Sequence, residues 1–190
     1  MNSAGEIVYV ALGANLGDRG ATFASAIEAF EQDADLDLLR VSSIFETDPV
    51  GPAGQDAYLN AVVEIRVRLG PPELLARLHA IERAMGRDRE AEAERWGPRE
   101  LDLDILFFGD RWIESPTLVV PHARAHERNF VMTPLAEIVP DLIHPKLGLS
   151  VAEIARGLPE LDRRSVWADP AAWPGRIAAG LDRSPEKTCP

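Results

Sequence analysis

The chain has 190 residues, 46% of them apolar, and a net charge of −11, which bounds it to one domain with a substantial core and at most a short tail. A body this acidic argues against nucleic acid as a main partner, because gripping a phosphate backbone takes a broad basic surface, and no apolar run approaches the length of a membrane span. Cys189 stands alone and permits no internal disulfide, and lysine occurs only at 146 and 187, neither in a Walker-type phosphate loop, so any phosphate is handled by arginine.

Residues 7–12 (IVYVAL) form a continuous apolar run that predicts a central strand. The two glycines of the following turn, Gly13 and Gly17, read first as a strand-to-helix turn and only weakly as a phosphate loop. Asp18 is placed to cap the next helix, in which Phe23, Ala26, Ile27 and Phe30 recur at helical spacing. Residues 36–47 predict a second strand and residues 48–55 (DPVGPAGQ) a loop.

Residues 59–69 predict the cleanest strand: Leu59, Ala61, Val63, Ile65, Val67 and Leu69 share one face, and Asn60, Glu64, Arg66 and Arg68 the other. Asn60 reads either as a structural loop-end residue or as a reader of a planar heterocycle through both amide atoms. Pro71 and Pro72 open a helix with a stripe of Leu74, Leu75, Leu78, Ile81 and Met85, and Gly86 can end it. Glu82 reads first as a solvated position on that helix and second as one facing a bound nucleotide.

Residues 87–108 (RDREAEAERWGPRELDLDILFF) then place Arg87, Arg89, Arg95, Arg99 and Trp96 in a loop ahead of an apolar strand. Strand alternation puts Asp102 and Asp104 on one face, roughly 7 Å apart. An acidic pair on a strand is also how a solvated face reads. Here Leu106, Phe107 and Phe108 continue the run without alternation, which predicts a strand covered on both sides, and buried carboxylates need partners or a metal. Two carboxylates beside arginines suit Mg²⁺ and a polyphosphate.

The element order, strand-helix-strand-strand-helix-strand, predicts an α+β, ferredoxin-like βαββαβ core with an antiparallel sheet flanked by helices. Beyond it, residues 111–113 read as a short return strand, residues 119–128 bring His122, Arg124, His126 and Arg128 together, residues 130–139 read as helix apart from Pro134, and Ser150 caps a short helix. His79 and His144 read as structural, His126 as a residue steadying the basic loop, and Trp112 as packing. The catalytic body is assigned to residues 1–160. Residues 161–190 are read as a loosely packed or disordered extension, partly pinned by Trp167 and Trp173. The N-terminus lacks a basic segment followed by an apolar core, so the cytoplasm is the expected compartment.

Five ordered motifs are similar to those of the 6-hydroxymethyl-7,8-dihydropterin pyrophosphokinases of folate biosynthesis: ALGANLGD at 11–18, SSIFETDPVG at 42–51, QDAYLNAVVEI at 55–65, ERWGPRELDLDILFFG at 94–109 and VPHARAHERNF at 120–130. The chain resembles that family over roughly residues 7–145. The resemblance implies transfer of the β,γ-diphosphate of ATP to the hydroxymethyl oxygen of the pterin, leaving AMP. By it, Asp102 and Asp104 hold two Mg²⁺ ions and, with Arg87 and Arg99, form the catalytic set. Arg89, Arg95, Trp96, Ile105, His122 and Arg128 match the nucleotide side. Thr47, Val50, Gly51, Tyr58, Asn60, Trp96 and Phe130 match the pterin pocket. Closure of the arginine loop over the site is expected to exclude water, and the partners are ATP and the pterin, with the chain expected to be a monomer.

Three positions depart from the family pattern. The arginine loop carries an apparent two-residue insertion with Glu90 and Glu92, Ala123 follows His122 where some members have tyrosine, and Thr117 stands where some have arginine. Two other classes remain as alternatives, a metal-dependent phosphohydrolase and a catalytically silent nucleotide-binding module, and neither gives Thr47, Tyr58, Asn60 and Phe130 a task.

Overall fold

The computed structural model describes residues 5–51, 54–87, 97–159 and 164–173, the backbone alone at 164 and 165. Strands β1 (Glu6–Ala14) and β4 (Tyr58–Val67) pair antiparallel in the middle of the sheet, from Glu6 opposite Val67 to Ala14 opposite Leu59. Strand β5 (Asp102–Phe108) takes the other side of β1, while β2 (Leu36–Val41) and β3 (Ile44–Thr47) share the far side of β4. With β2 and β3 taken as one interrupted strand, the order β5-β1-β4-β3 is the ferredoxin-like arrangement that the element order predicts.

Alternation sorts the side chains onto two buried faces. On the first face Val8, Val10, Leu12, Ala61, Val63 and Ile65 pack against Phe23, Ala26, Ile27 and Phe30 of α1 (Arg19–Gln32) and Leu74, Leu78 and Ile81 of α2 (Pro71–Ala84). The helix signals act as read. The Asp18 carboxylate accepts the Ala21 N–H at 2.9 Å, Pro71 sits in the first turn of α2, and Gly86 follows that helix at φ 99°, a left-handed angle that glycine adopts without strain. On the second face Tyr9, Val62, Leu106 and Phe107 pack against α3 (Asn129–Ile138) and α4 (Val151–Gly157). α4 begins with a full capping box between Ser150 and Glu153. Among the described residues no helix is long and apolar enough to cross a membrane.

Three expectations change. The strand read over 36–47 breaks at Ser42 and Ser43. The Ser42 N–H still donates to the Val62 carbonyl at 2.9 Å, but the Ser42 hydroxyl accepts the Val62 N–H at 2.9 Å and the Ser43 N–H donates to Glu137 Oε2 at 2.6 Å, so side chains take over part of the ladder there. The return strand begins later, with β6 (Ile113–Glu114) pairing with β7 (Val119–Val120), and Trp112 is exposed instead of packed.

The third change moves the domain boundary. β8 (Arg164–Ala168) adds to the open edge of β3, and Trp173 is only 1% exposed. Its ring stacks on Phe23 at 5.7 Å, and its indole N–H donates to the Ser42 carbonyl at 2.7 Å. Residues 164–173 therefore belong to the body, not to a loose extension. A five-residue strand carries too little periodicity to be read from sequence. Residues 174–190 lie outside the described residues. Trp173→Ala, which empties a core position and removes that hydrogen bond, is expected to cost roughly 3–5 kcal/mol of stability, measurable by denaturant unfolding.

Candidate active site

The site grows from the start of β5. Asp102 and Asp104 point to the second face, Leu103 and Ile105 to the first-face core. A bulge opposite Tyr9 and Val10 then shifts the register, which turns Leu106 and Phe107 both onto the second face and returns Phe108 to the first. At this bulge the Leu106 carbonyl accepts the His122 N–H at 2.9 Å, which ties the His122 segment to the aspartate strand. Near β5's origin the second face is open, and a cavity of about 650 Å³ lies there, a size suited to small-molecule ligands. Gly13, opposite both Asn60 and Asp102, keeps the floor low between amide and carboxylate.

One side of the cavity brings together Arg87, Arg99, Asp102, Asp104, His122 and Arg128; the other brings Thr47, Val50, Tyr58, Asn60 and Phe130. Arg87 Nη1 donates to Asp102 Oδ1 at 2.5 Å and Arg99 Nη1 to Asp102 Oδ2 at 2.6 Å. His122 Nε2 lies 3.8 Å from Asp104 Oδ2. The two acids therefore differ. Burial pushes the Asp102 pKa up, but Arg99 and Arg87 outweigh it and hold the group below the usual carboxylate range. Burial and then the Asp102 charge push Asp104 above that range, and His122, Arg128 and Arg99 offset only part of this. Burial lowers His122, with Asp104 opposing and Arg128 adding to the shift.

Two residues of this network were not legible as functional. Glu82, fully buried, accepts Arg87 Nη1 at 2.7 Å and the Leu103 N–H at 2.8 Å, so it couples α2, the arginine and the aspartate strand. It is a correction to the solvated reading, and the signal was present: Leu74, Leu78 and Glu82 recur at i, i+4 and i+8 on the buried face. Asn15, in the turn read first as structural, accepts the Arg99 N–H on Oδ1 at 2.7 Å and returns its own N–H to the Arg99 carbonyl at 3.0 Å. Its amide also donates to Gln55 Oε1 and the Asp56 carbonyl, both at 3.3 Å. Asn15 thereby joins the backbone of Arg99 to the segment leading into Tyr58.

On the opposite side Asn60 Nδ2 donates to Thr47 Oγ1 at 2.8 Å, and both are buried. The Tyr58 hydroxyl donates to the Gly97 carbonyl at 3.1 Å. Phe130 opens α3 and carries the Arg128 guanidinium 5.8 Å from its ring centroid. Three expectations fall elsewhere. The Ile105 side chain is in the first-face core, 3% exposed, because it alternates with Asp104. Gly51 is exposed and does not line the cavity, and Thr117 is exposed outside it, whereas Ala123 is on the wall. Arg89, Arg95 and Trp96, with Glu90 and Glu92, lie outside the described residues.

Among the described residues no group of three or more His, Cys, Asp or Glu side chains forms a metal cage. The donor set on the cavity wall is two carboxylates on one strand face, which fits a hard cation that takes its remaining oxygens from phosphate and water.

The family model for 7,8-dihydro-6-hydroxymethylpterin-pyrophosphokinase (HPPK) matches residues 9–140. The 2-amino-4-hydroxy-6-hydroxymethyldihydropteridine pyrophosphokinase of Bacillus subtilis is 50% identical over 132 residues, 70% of this chain and 77% of that one. The Pseudomonas aeruginosa protein of the same name is 44% identical over 154 residues, 81% of this chain and 88% of that one. Among solved structures, wild-type Plasmodium falciparum HPPK-DHPS with pteroate superposes with a TM-score of 0.66 at 13% identity, over 83% of this chain and 45% of that longer one. That likeness speaks to the fold, and the two bacterial relatives carry the sequence. Conjoined with the cavity of arginines, paired aspartates and a buried amide, these matches lead to one conclusion: the chain belongs to the 7,8-dihydro-6-hydroxymethylpterin-pyrophosphokinase family.

Proposed function

We infer that this chain transfers the β,γ-diphosphate of ATP to the hydroxymethyl oxygen of 6-hydroxymethyl-7,8-dihydropterin, yielding AMP and the pterin diphosphate for folate biosynthesis. The observation that carries the reading is one cavity with two chemically distinct halves, arginines and aspartates on one side and the Asn60–Thr47 amide–hydroxyl pair with Tyr58 and Phe130 on the other. The alcohol oxygen attacks the β-phosphorus, the bond from that phosphorus to the α–β bridging oxygen breaks, AMP departs with that oxygen, and the hydroxyl proton passes to solvent.

Asp102 and Asp104 would hold two Mg²⁺ ions. When bound, these supply charge neutralisation of the phosphates and a lowered pKa for the attacking alcohol. Arg87 and Arg99 bring positive charge to the transferring group; each at about 4 Å from a phosphate charge gains on the order of 4 kcal/mol at an effective dielectric of 20, before desolvation. His122 and Arg128 face the nucleotide, joined in our reading by Arg89, Arg95 and Trp96. Asn60 and Thr47 read the pterin edge, Phe130 stacks on its ring, and Val50 borders it. The catalytic body, with residues 164–173 built in, works as a cytoplasmic monomer without nucleic acid or membrane.

Product analysis with ATP, Mg²⁺ and the pterin alcohol tests the reading. AMP with pterin diphosphate supports it; ADP or free phosphate indicates a phosphohydrolase, and absence of turnover indicates a silent binding module. Asn60→Ala is expected to raise the pterin KM by about tenfold, through loss of paired polar contacts, and the ATP KM by far less. Equal changes in both would remove the pterin pocket from this side of the cavity.

A further inference from the structure

Behind the nucleotide side of the cavity two histidines meet. The 3₁₀ turn Ala125–Glu127 carries His126 between His122 and Arg128, and His144 sits in the loop before α4, 3% exposed. Their ring centroids are 5.5 Å apart, and His144 in turn meets the edge of Phe107 on β5 at 5.7 Å. Among the described residues the buried side-chain nitrogens without a hydrogen-bond partner are His126 Nδ1 and His144 Nε2, one on each ring of this pair.

The tautomer of His144 follows from its neighbour, and an acceptor at His126 Nδ1 requires the Nε2–H tautomer of that ring. His144 Nδ1 accepts the Lys146 N–H at 3.3 Å, so in the neutral ring the proton sits on Nε2, a donor. A neutral His126 protonated on Nε2 presents Nδ1 as an acceptor. An unmatched buried donor and an unmatched buried acceptor thus belong to rings close enough for one N–H···N bond of about 3 Å after a small ring rotation. A metal is the weaker reading of the same two nitrogens, because no third ligand joins them among the described residues.

We propose that His126 and His144 form a positioning latch, a single hydrogen bond from His144 Nε2–H to His126 Nδ1, that sets the His122–Arg128 segment against β5 and so aims both residues at the nucleotide phosphates. Among the described residues the segment also meets β5 through the His122 N–H to the Leu106 carbonyl at 2.9 Å, His122 Nε2 at 3.8 Å from Asp104 Oδ2, and Ala125 packed with Leu106 and Phe107. The latch adds a directional polar contact four residues beyond His122. It rests on the nucleotide reading of this half of the cavity.

The test uses the full chain. Asparagine places an acceptor where His126 Nδ1 lies, and glutamine a donor where His144 Nε2 lies, whereas phenylalanine keeps ring shape without either. His126→Phe and His144→Phe are expected to raise the ATP KM about tenfold, the scale of one unmade buried hydrogen bond, with kcat changed less. His126→Asn and His144→Gln stay within about twofold of the unaltered protein. In histidine-labelled protein, nitrogen-15 NMR is expected to show a slowly exchanging His144 Nε2 proton that is lost in His126→Phe. An exchange-labile Nε2 proton, or Phe and Asn variants that behave alike, overturns the latch. The NMR arm needs no turnover, so a protected proton without any nucleotide effect overturns the aiming role and separates failure of the latch from failure of the proposed function.

Discussion

Asp104→Asn is expected to reduce kcat by about a thousandfold or more while leaving the ligand-free protein as stable as before, or more stable. The rate loss is on the scale of removing a main electrostatic element of a phosphoryl-transfer site. The stability sign comes from linkage. The folded-state pKa of Asp104 lies above its unfolded value, first through burial and then through the Asp102 charge, so the native state binds more protons in that window. Stability therefore falls as pH rises from the unfolded carboxyl value through the folded one, and the cost persists at neutral pH. The amide removes it. Asp102 has the opposite sign, since Arg99 and Arg87 hold it below the usual range against burial. Its contribution is present at neutral pH and is lost as pH falls through the folded value. Asp102→Asn should accordingly lose both activity and stability. Thermal melts of the two variants, with and without Mg²⁺ and an ATP analogue, separate them: the unaltered chain gains Tm with these ligands by mass action, and Asp104→Asn gains far less. An Asp104→Asn protein with normal turnover at saturating Mg²⁺ would reject the metal role.

Glu82→Ala is expected to cost about 3–5 kcal/mol of stability, because it leaves Arg87 charged and buried with one carboxylate gone. For a domain of this size that is a fall in Tm of about 10 °C. Glu82→Gln retains an oxygen for the Leu103 N–H, which now meets Glu82 Oε1 at 2.8 Å, and should lose about half as much. The functional readout is the more telling. Arg87 reaches Asp102 from a guanidinium held by Glu82, so a loosened Arg87 depresses kcat more than it raises the KM for either substrate. A Glu82→Gln enzyme with unaltered kcat would reduce Glu82 to a stability element.

The elements that read correctly from sequence share a local cause. β4 alternates over most of its length, Val62 being the exception, and α1 and α2 carry apolar stripes closed by Asp18, Pro71 and Gly86, so periodicity and capping chemistry sufficed. Asp102 and Asp104 were legible for the same reason: two residues apart on a strand, they must share a face. Glu82 was missed although its spacing put it on the buried stripe, because a glutamate on a helix is usually solvated and its arginine partner lies past the helix end. Trp173 was half read. Its size signalled an anchor, but neither its site on Phe23 nor the addition of β8 to β3 leaves a local pattern.

What the chain order by itself determined is the βαββαβ core, the arginine-rich approach and the paired acids, since each depends on residues within a turn or two of one another. Tertiary structure alone decided which half of the β5 face stays open, because the bulge at Leu106 and the packing of α3 on that same face together set the boundary. It also decided that Asn15, Glu82 and the His126–His144 pair meet their partners, contacts made across distant segments by backbone paths that no single stretch specifies.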